Sequence, residues 1–248
     1  MAEILDNAAH LAQTIGPRPA GTEEERQAAL YLSEALQRKA GLPTEVEDFT
    51  CSTDFELPRA IYCLVAVVLT ALTFFIPVMV IVAFIVVLIM AALYAVETLV
   101  RPLLAPMMSH GASQNVVAKY EPAGRSAEGA RGARQRKVVL LAHYDTGKVR
   151  AELKPALAPL LPILNWVELG GMVLLALLLL LRLVSTPTGG FAVVVTVLTV
   201  AACIAALLPV VATIMHRSAP YTDGANCNAA GVAVMVEVAT RLRKGRAR

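Results

Sequence analysis

The chain has 248 residues, of which 57% are hydrophobic, and its mean hydropathy of +0.63 is too high for an ordinary soluble protein. A net charge of only +3 gives no sign of a nucleic-acid partner. Four cysteines without C-x-x-C spacing argue against a disulfide framework, and acidic residues near the N-terminus argue against a cleaved signal peptide.

The N-terminal segment predicts two helices followed by a strand. Apolar residues recur at helical intervals over residues 3–15, and a glycine and a proline then end the first helix. Thr22 begins the sequence Thr-Glu-Glu-Glu, so its hydroxyl can cap the second helix while Glu25 reaches back. Gly41 ends that helix, and residues 44–49 have the composition of a strand.

Two long apolar stretches are each long enough to cross a membrane twice. The first has a proline near its middle and predicts helices at 60–77 and 79–99, because one helix of that length would overshoot a bilayer. The second predicts helices at 163–184 and 191–214, joined by a turn rich in threonine, proline and glycine. We therefore predict four transmembrane helices in two hairpins, with the lipid bilayer as a partner.

A hairpin returns the chain to the side where it started, so the segments outside the two hairpins can build one domain. The basic residues lie almost entirely in those segments, and the hairpin tips carry essentially one, Arg182. By the positive-inside rule the domain is cytoplasmic, and the protein is an integral protein of the cell membrane. The predicted boundaries are 1–58, 101–155 and 217–248 for the domain, with hairpins at 59–100 and 156–216.

Two acidic residues, Glu97 and Glu168, lie within or near the apolar spans. Acids inside a membrane are typical of transport or proton pathways, which makes a small transporter one hypothesis. Both acids lie within a few residues of a predicted span end, so the alternative is a pair of glutamates at the membrane interface. We favour the interfacial interpretation.

The chemistry of the chain is concentrated in one stretch, KVVLLAHYDTGK at 137–148. Residues 138–142 form a continuous apolar run typical of a buried strand in an α/β sheet, and 115–120 predict a further strand. His143 and Asp145 follow, where α/β sheets bind ligands, and point to the same side of an extended backbone. A neutral imidazole binds a divalent metal while a nearby carboxylate holds it. The alternative is a histidine hydrogen-bonded in a turn.

Three separated motifs together point to a known family. They are IGPRPAGTEEE at 15–25, NVVAKY followed by VVLLAHYDTG, and DGANCNAAGVAVMVEVA near the C-terminal end. In this order they resemble the N-terminal half of the zinc exopeptidase family, which includes secreted bacterial leucyl aminopeptidases, aminopeptidase Y and glutamate carboxypeptidase. The resemblance covers essentially the residues outside the apolar spans. It implies an α/β fold, namely part of an αβα sandwich interrupted by the two transmembrane hairpins.

The resemblance implies roles for specific residues. His143 matches a histidine that binds one of two zinc ions, and Asp145 matches the aspartate that orients it. The family's bridging aspartate, in the turn G-A-x-D-N-x-x-G, corresponds to Cys227, whose single sulfur can bind zinc but replaces two carboxylate oxygens. Asp223 is a further candidate ligand. The alternatives are an ordinary thiol at Cys227 and a solvated turn residue at Asp223.

The family's general base and remaining zinc ligands come after the helix with which this sequence ends. His10, His110 and His216 do not fit the missing histidine's place in the order. The resemblance therefore implies a partial site for one or two zinc ions. We expect this chain to be inactive by itself.

Two hypotheses follow from the resemblance. The first is a membrane-embedded zinc aminopeptidase-like metallopeptidase, which hydrolyses the peptide bond at a free N-terminus and of which this chain is the N-terminal part. The second is a catalytically inactive, membrane-anchored binding or scaffold protein derived from the same family, which holds peptides or partner subunits. We also expect a partner chain that completes the domain, because a truncated sheet would expose a strand edge.

Overall fold

The computed structural model of the chain is predominantly helical. It describes three stretches of the sequence: 2–120, 138–150 and 158–245. In chain order the helices are α1 (Ala2–Ala9), α2 (Glu23–Ala40), α3 (Glu56–Phe75), α4 (Val80–Leu99), α5 (Ala105–Met108), α6 (Leu161–Val184), α7 (Gly189–Arg217) and α8 (Ala230–Gly245), and the strands are β1 (Thr44–Cys51) and β2 (Gly111–Ala118). Short π-helical turns follow α1 and precede α8.

The chain divides into two compact units. The first unit contains α1, α2, both strands and α8, drawn from 1–51, 111–148 and 221–248. The second unit contains α3 to α7, drawn from 52–110 and 149–220. Each unit is therefore built from segments that are separated in the sequence. The motif residues belong to the first unit, and the long apolar helices belong to the second.

Local sequence signals explain where α2 begins and ends. Thr22 precedes the helix, and its Oγ1 accepts a hydrogen bond from the backbone N–H of Glu25 at 3.4 Å. The Glu25 carboxylate reaches back to the N–H of Gly21 at 2.6 Å, one residue before the cap. Gly41 ends the helix with a φ of 60°, a left-handed conformation that glycine adopts readily. The predicted ends of α2 are thus confirmed.

Three helices form the core of the first unit. Both α1 and α2 contact α8, and small and aliphatic side chains fill the space between them. On α2 these side chains recur at every fourth position, which places them on one face of the helix. Each fully buried leucine or valine contributes roughly 1.5–3 kcal/mol by leaving water. The buried residues of this core include Leu11, Ala28, Leu32, Leu36, Val232 and Val236.

The predicted αβα sandwich is wrong. Within the described residues there is one sheet, and it consists of two antiparallel strands, with Thr44 of β1 opposite Ala118 of β2. The strand predicted at 44–49 is confirmed as β1, and the strand predicted at 115–120 is present as β2 with an earlier start. Two strands do not form the middle layer of an α/β sandwich. Most of the first unit is instead held by helix packing.

The buried strand predicted at 138–142 is a second correction. These residues belong to no strand, and Val138, Val139 and Leu141 are 81%, 82% and 94% exposed. An apolar run becomes a buried strand only when neighbouring strands satisfy its backbone groups and helices cover its faces. Neither β1 nor β2 pairs with this run. Its composition favours a strand, but no described neighbour completes one.

Four helices of the second unit, α3, α4, α6 and α7, are long and apolar enough to span a membrane. They follow the two predicted hairpins, although α3 begins earlier, at Glu56, and α7 continues to Arg217. Within the bundle α3 contacts α4 and α7, while α6 also contacts α4 and α7. Length and composition therefore support a membrane protein with four transmembrane helices.

Small residues let the helices of the second unit approach closely. A Cβ added at Gly171 of α6 would lie 3.0 Å from the Cβ of Ala205 and 3.2 Å from the carbonyl oxygen of Ala202 on α7. The buried hydroxyl of Thr70 donates to the carbonyl of Ala66 on its own helix at 2.8 Å. In lipid, where apolar surface gives little driving force, such close packing is what associates the helices.

Glu97 and Glu168, the acids of the apolar spans, both have hydrogen-bond partners. Glu97, near the end of α4, accepts hydrogen bonds from the backbone N–H of Leu103 at 2.9 Å and from the hydroxyl of Tyr62 at 3.3 Å. Glu168, on α6, is buried and accepts a hydrogen bond from the hydroxyl of Tyr94 on α4 at 2.6 Å. Glu97 therefore closes the turn after α4, and Glu168 ties α6 to α4.

Candidate metal centre

The three sequence motifs meet in the first unit. The N–H of Thr146 donates to the carbonyl of Arg18 at 2.9 Å, and the N–H of Arg18 donates to the hydroxyl of Thr146 at 2.7 Å. The N–H of Thr222 donates to the carbonyl of Gly147 at 3.0 Å. The Gly-Pro-Arg-Pro turn, the His-Tyr-Asp segment and the Asp-Gly-Ala-Asn turn are therefore connected through their backbones.

Arg18 is the residue that joins all three motifs. Its side chain is fully buried, with an exposed fraction of 0%. Its Nε donates to the carbonyl of Tyr144 at 2.9 Å, and Nη1 donates to the carbonyls of Leu11, Gly16 and Asp223. Because these acceptors come from three separate parts of the chain, one side chain sets their relative positions.

Arg18 is also a buried charge. Burial lowers the pKa of its guanidinium below the ordinary value, and the negative charges of Asp145 and Asp223 raise it again in part. Arginine starts from so high a pKa that the group remains a cation at neutral pH. The two aspartates therefore supply the counter-charge that a buried cation needs.

His143, Asp145 and Cys227 lie together at the surface of the first unit. The Nδ1 of His143 is 3.2 Å from Oδ1 of Asp145, and its Nε2 is 3.9 Å from Sγ of Cys227, which is 84 positions away in the sequence. The Nδ2 of Asn228 donates to the carbonyl of His143 at 3.1 Å. An ionised carboxylate can only accept, so in the neutral imidazole Nδ1 carries the proton. The lone pair of Nε2 is then on the side of Cys227.

Tyr144 anchors this pair to the core. Its side chain is buried, and its hydroxyl donates to the carbonyl of Gln114 on β2. Burial raises the pKa of Tyr144, and the charges of Glu25 and Asp145 raise it further, so the hydroxyl stays neutral. On an extended backbone alternate residues point to opposite sides. The inward Tyr144 therefore leaves His143 and Asp145 directed outward together.

Gly224 allows the third motif to close against the other two. Its φ is +66°, in the left-handed region that favours glycine. A Cβ at this position would lie 2.3 Å from Cγ2 of Thr146 and 2.9 Å from Nη2 of Arg18. The turn that carries Cys227 can therefore approach Arg18 closely only because residue 224 has no side chain.

Asp223 is not brought to the cluster as a ligand. Its carbonyl accepts a hydrogen bond from Arg18 at 3.2 Å, and its carboxylate is a counter-charge to the same side chain. Across the described residues, no group of three or more His, Cys, Asp or Glu side chains is arranged to hold a metal ion. The structure thus brings together His143, Asp145 and Cys227, and it uses Asp223 elsewhere.

These residues fit one zinc ion in part, and they do not fit two. A nitrogen and a sulfur bound to the same tetrahedral zinc lie about 3.5 to 4 Å apart. The 3.9 Å between Nε2 of His143 and Sγ of Cys227 matches that separation. Asp145, on the other imidazole nitrogen, has the position of a carboxylate that orients a zinc-binding histidine. A bridge through the single sulfur of Cys227, in place of two carboxylate oxygens, would change the spacing of about 3.5 to 4 Å between two ions on which two-metal hydrolysis depends.

No protein-family model, curated protein or solved structure matches this chain. The structure describes the protein only in general terms. It is a helical protein with four candidate membrane spans and a cluster of one histidine, one aspartate and one cysteine. The resemblance to zinc exopeptidases depends on the three motifs and remains a prediction.

No role for Arg18 was predicted from the sequence. An arginine in a turn is usually solvated, so its burial was not expected. A local signal did exist, because Arg18 lies between Pro17 and Pro19, which have no backbone N–H to donate. A carbonyl in such a turn needs a donor from elsewhere, and the guanidinium of Arg18 donates to the carbonyl of Gly16.

Proposed function

We propose that this chain contributes part of the zinc site of a membrane-embedded, aminopeptidase-like hydrolase. His143 and Cys227 are two ligands of one zinc ion, and Asp145 orients His143. The observation that carries the proposal is the 3.9 Å approach of His143 Nε2 to Cys227 Sγ, with Asp145 on the opposite imidazole nitrogen. Zinc, when bound, would polarise a peptide carbonyl and lower the pKa of a water molecule.

Each protein group has a task that its contacts define. Asp145 accepts the proton of Nδ1, which keeps the Nε2 lone pair of His143 available for a metal. Arg18 holds the backbone of Tyr144 and Asp223, so the two ligand-bearing segments keep their separation. Two ligands leave a tetrahedral ion with two further positions, which water or groups beyond the described residues would fill.

A partner chain that completes the domain is part of this proposal. The run at 138–142 is strongly apolar, yet Val138, Val139 and Leu141 are almost fully exposed. A partner that packs on this run would bury it and would bring the general base and the remaining zinc ligands. We accordingly expect no hydrolysis by this chain alone.

The second candidate is an inactive, membrane-anchored binding or scaffold protein. The observation that favours it is the small donor set, since the described part of the chain brings only His143 and Cys227 together as ligands. In that case the first unit holds a peptide or a partner subunit without chemistry. The transporter hypothesis has less support, because Glu97 and Glu168 are both used in contacts between neighbouring segments of the bundle.

We also propose which membrane holds the protein and on which side of it the first unit lies. The four candidate spans support an integral membrane protein. The concentration of lysine and arginine outside the hairpins favours the cell membrane with the first unit in the cytoplasm, by the positive-inside rule.

Metal binding by the purified full chain tests the proposal. We expect one zinc per chain, and we expect cobalt(II) in its place to show a thiolate-to-metal charge-transfer band. His143→Ala should abolish binding, and Cys227→Ser should remove the charge-transfer band. Cys51→Ser, which changes a cysteine of β1, is the matched control and should leave both unchanged.

The two candidate functions, hydrolase and scaffold, predict different results. If His143→Ala and Cys227→Ser bind zinc as well as the wild type does, the proposed metal site is contradicted. The scaffold interpretation would then remain. In a partly working site Cys227→Asp should increase zinc affinity, whereas in a scaffold it should change nothing. Aminopeptidase activity of the chain alone that disappears in His143→Ala would contradict the expected dependence on a partner.

A further inference from the structure

We infer that, in the metal-free chain, Cys227 is a nucleophile that accepts acyl groups from esters and thioesters, with His143 as its base. Asp145 is the positioning residue of that base. The inference concerns the three side chains of the candidate metal centre, but it goes beyond the proposed zinc site and does not require it. A nucleophile, a base and a group that orients the base are recognised by their geometry, whatever their order in the sequence.

The three side chains form a continuous chain of contacts. Sγ of Cys227 lies 3.9 Å from Nε2 of His143, which is within hydrogen-bonding range for sulfur. Such contacts between a nucleophile and its base are often longer in a free enzyme than in its complex with substrate. Nδ1 of His143 lies 3.2 Å from Oδ1 of Asp145. With its proton on Nδ1, the imidazole presents the lone pair of Nε2 to the thiol and can take the thiol proton.

The backbone holds the thiol close to its base. The Nδ2 of Asn228, the residue after Cys227, donates to the carbonyl of His143 at 3.1 Å. The buried side chain of Arg18 donates to backbone carbonyls next to His143 and in the turn that carries Cys227. Because both segments are fixed by these bonds, less conformational entropy is lost when the two groups react together.

Reagents in solution can reach this nucleophile. Cys227 is exposed, and the side chains of its two partners in the cluster are 55% and 43% exposed. The other three cysteines differ, because Cys63 is buried while Cys51 and Cys203 are only partly exposed. Among the contacts of the described residues, none joins these three cysteines to a histidine by a hydrogen bond. Cys227 is therefore the cysteine that combines access with a base.

The reaction is an acyl transfer. The sulfur attacks the carbonyl carbon, and the thiol proton passes to Nε2 of His143. The bond between that carbon and the leaving oxygen or sulfur then breaks, and His143 gives the proton to the leaving group. Water attacks the resulting S-acyl Cys227, and its proton passes through His143 to the sulfur, which releases a carboxylic acid and restores the thiol. Amides have a poorer leaving group and need stronger stabilisation of the oxyanion, so peptides are not substrates of this reaction.

Acetylation by p-nitrophenyl acetate tests the inference on the full chain, purified with a metal chelator present. We expect a burst of about one equivalent of nitrophenol, an acetyl group on Cys227 in mass spectrometry, and slower turnover afterwards. Cys227→Ala should abolish the burst. His143→Ala should slow acetylation about 100-fold, the lower end of what a positioned base contributes. The matched control Cys51→Ser should retain the burst and its rate.

The positioning role of Asp145 has a test of its own. Asp145→Ala should slow acetylation about tenfold, as expected for a carboxylate that orients a histidine. Nitrogen NMR of the imidazole should show the Nδ1–H tautomer of His143 in the wild type and its loss in Asp145→Ala. A purely structural contribution of Asp145 would leave the tautomer unchanged, which would contradict this role.

Added zinc separates this inference from the proposed function. If zinc binds Cys227 and His143, it should block acetylation of the thiol. Acetylation at an unchanged rate in zinc would support the nucleophile and contradict the zinc site. No acetyl group on Cys227 in the chelated chain, or equal rates in wild type and His143→Ala, would overturn the inference and leave the zinc-binding measurements as they stand.

Discussion

Replacing Arg18 by methionine should loosen the contacts that join the three motifs. The substitution keeps an unbranched chain but removes the donors for four backbone carbonyls and the cation beside Asp145 and Asp223. A buried acceptor left without its donor costs about 1–3 kcal/mol, and Arg18 serves four backbone carbonyls. Since each 1.36 kcal/mol is a factor of ten, the equilibrium for local opening should shift by about a hundredfold or more.

Hydrogen exchange measured by mass spectrometry can follow this opening. The amides of Thr146 and Thr222 are hydrogen-bonded between the motifs and should exchange about a hundredfold faster in Arg18→Met, or up to the limit set by global unfolding. Arg26→Met is the matched control, because Arg26 lies on the surface of α2, 3.6 Å from Glu23. A surface ion pair contributes about 0–1 kcal/mol, so little change is expected there. Equal effects of the two substitutions would refute the role of Arg18.

Two further predictions concern the first unit. Gly224→Ala should lower the free energy of unfolding of this unit by about 1–3 kcal/mol, because the added methyl overlaps a neighbouring side chain and the φ is positive. In the control Gly147→Ala the new Cβ meets nothing within 4 Å, so this variant should have the higher melting temperature in thermal denaturation. The reverse order of melting temperatures would contradict the packing at Gly224. Because burial raises the pKa of Tyr144 above its ordinary value of 10.0, its contribution to stability is complete below about pH 10 and is lost as the pH rises from there through the folded pKa. Tyr144→Phe should therefore flatten the alkaline fall of helicity in circular dichroism, and an unchanged pH profile would argue against this origin.

Features that depend on residues adjacent in the sequence were predicted correctly. The caps of α2 follow from the positions of Thr22 and Gly41, since a cap needs only the adjacent backbone. The four long helices follow from apolar length, because a bilayer imposes a minimum span on any sequence. β1 follows from the local composition of 44–49.

Features that depend on contacts between residues far apart in the sequence were not predicted. The run at 138–142 has the composition of a strand, but a strand also needs neighbours to pair with, and the described residues offer none. The burial of Arg18 could not be predicted either, because its acceptors converge from three places in the chain. The resemblance to the zinc exopeptidase family did single out His143, Asp145 and Cys227, which the structure brings together, while metal binding there stays a prediction.

The packing of the second unit bears on how the protein is made. α3 contacts α7, and α4 contacts α6, so among the described residues the second hairpin covers the inner face of the first hairpin. The first unit has the same property, because α8 packs against α1 and α2. During translation neither unit can complete its packing until its last segment has left the ribosome. The newly inserted first hairpin must therefore wait in the membrane with its small-residue surface uncovered until the second hairpin has been inserted.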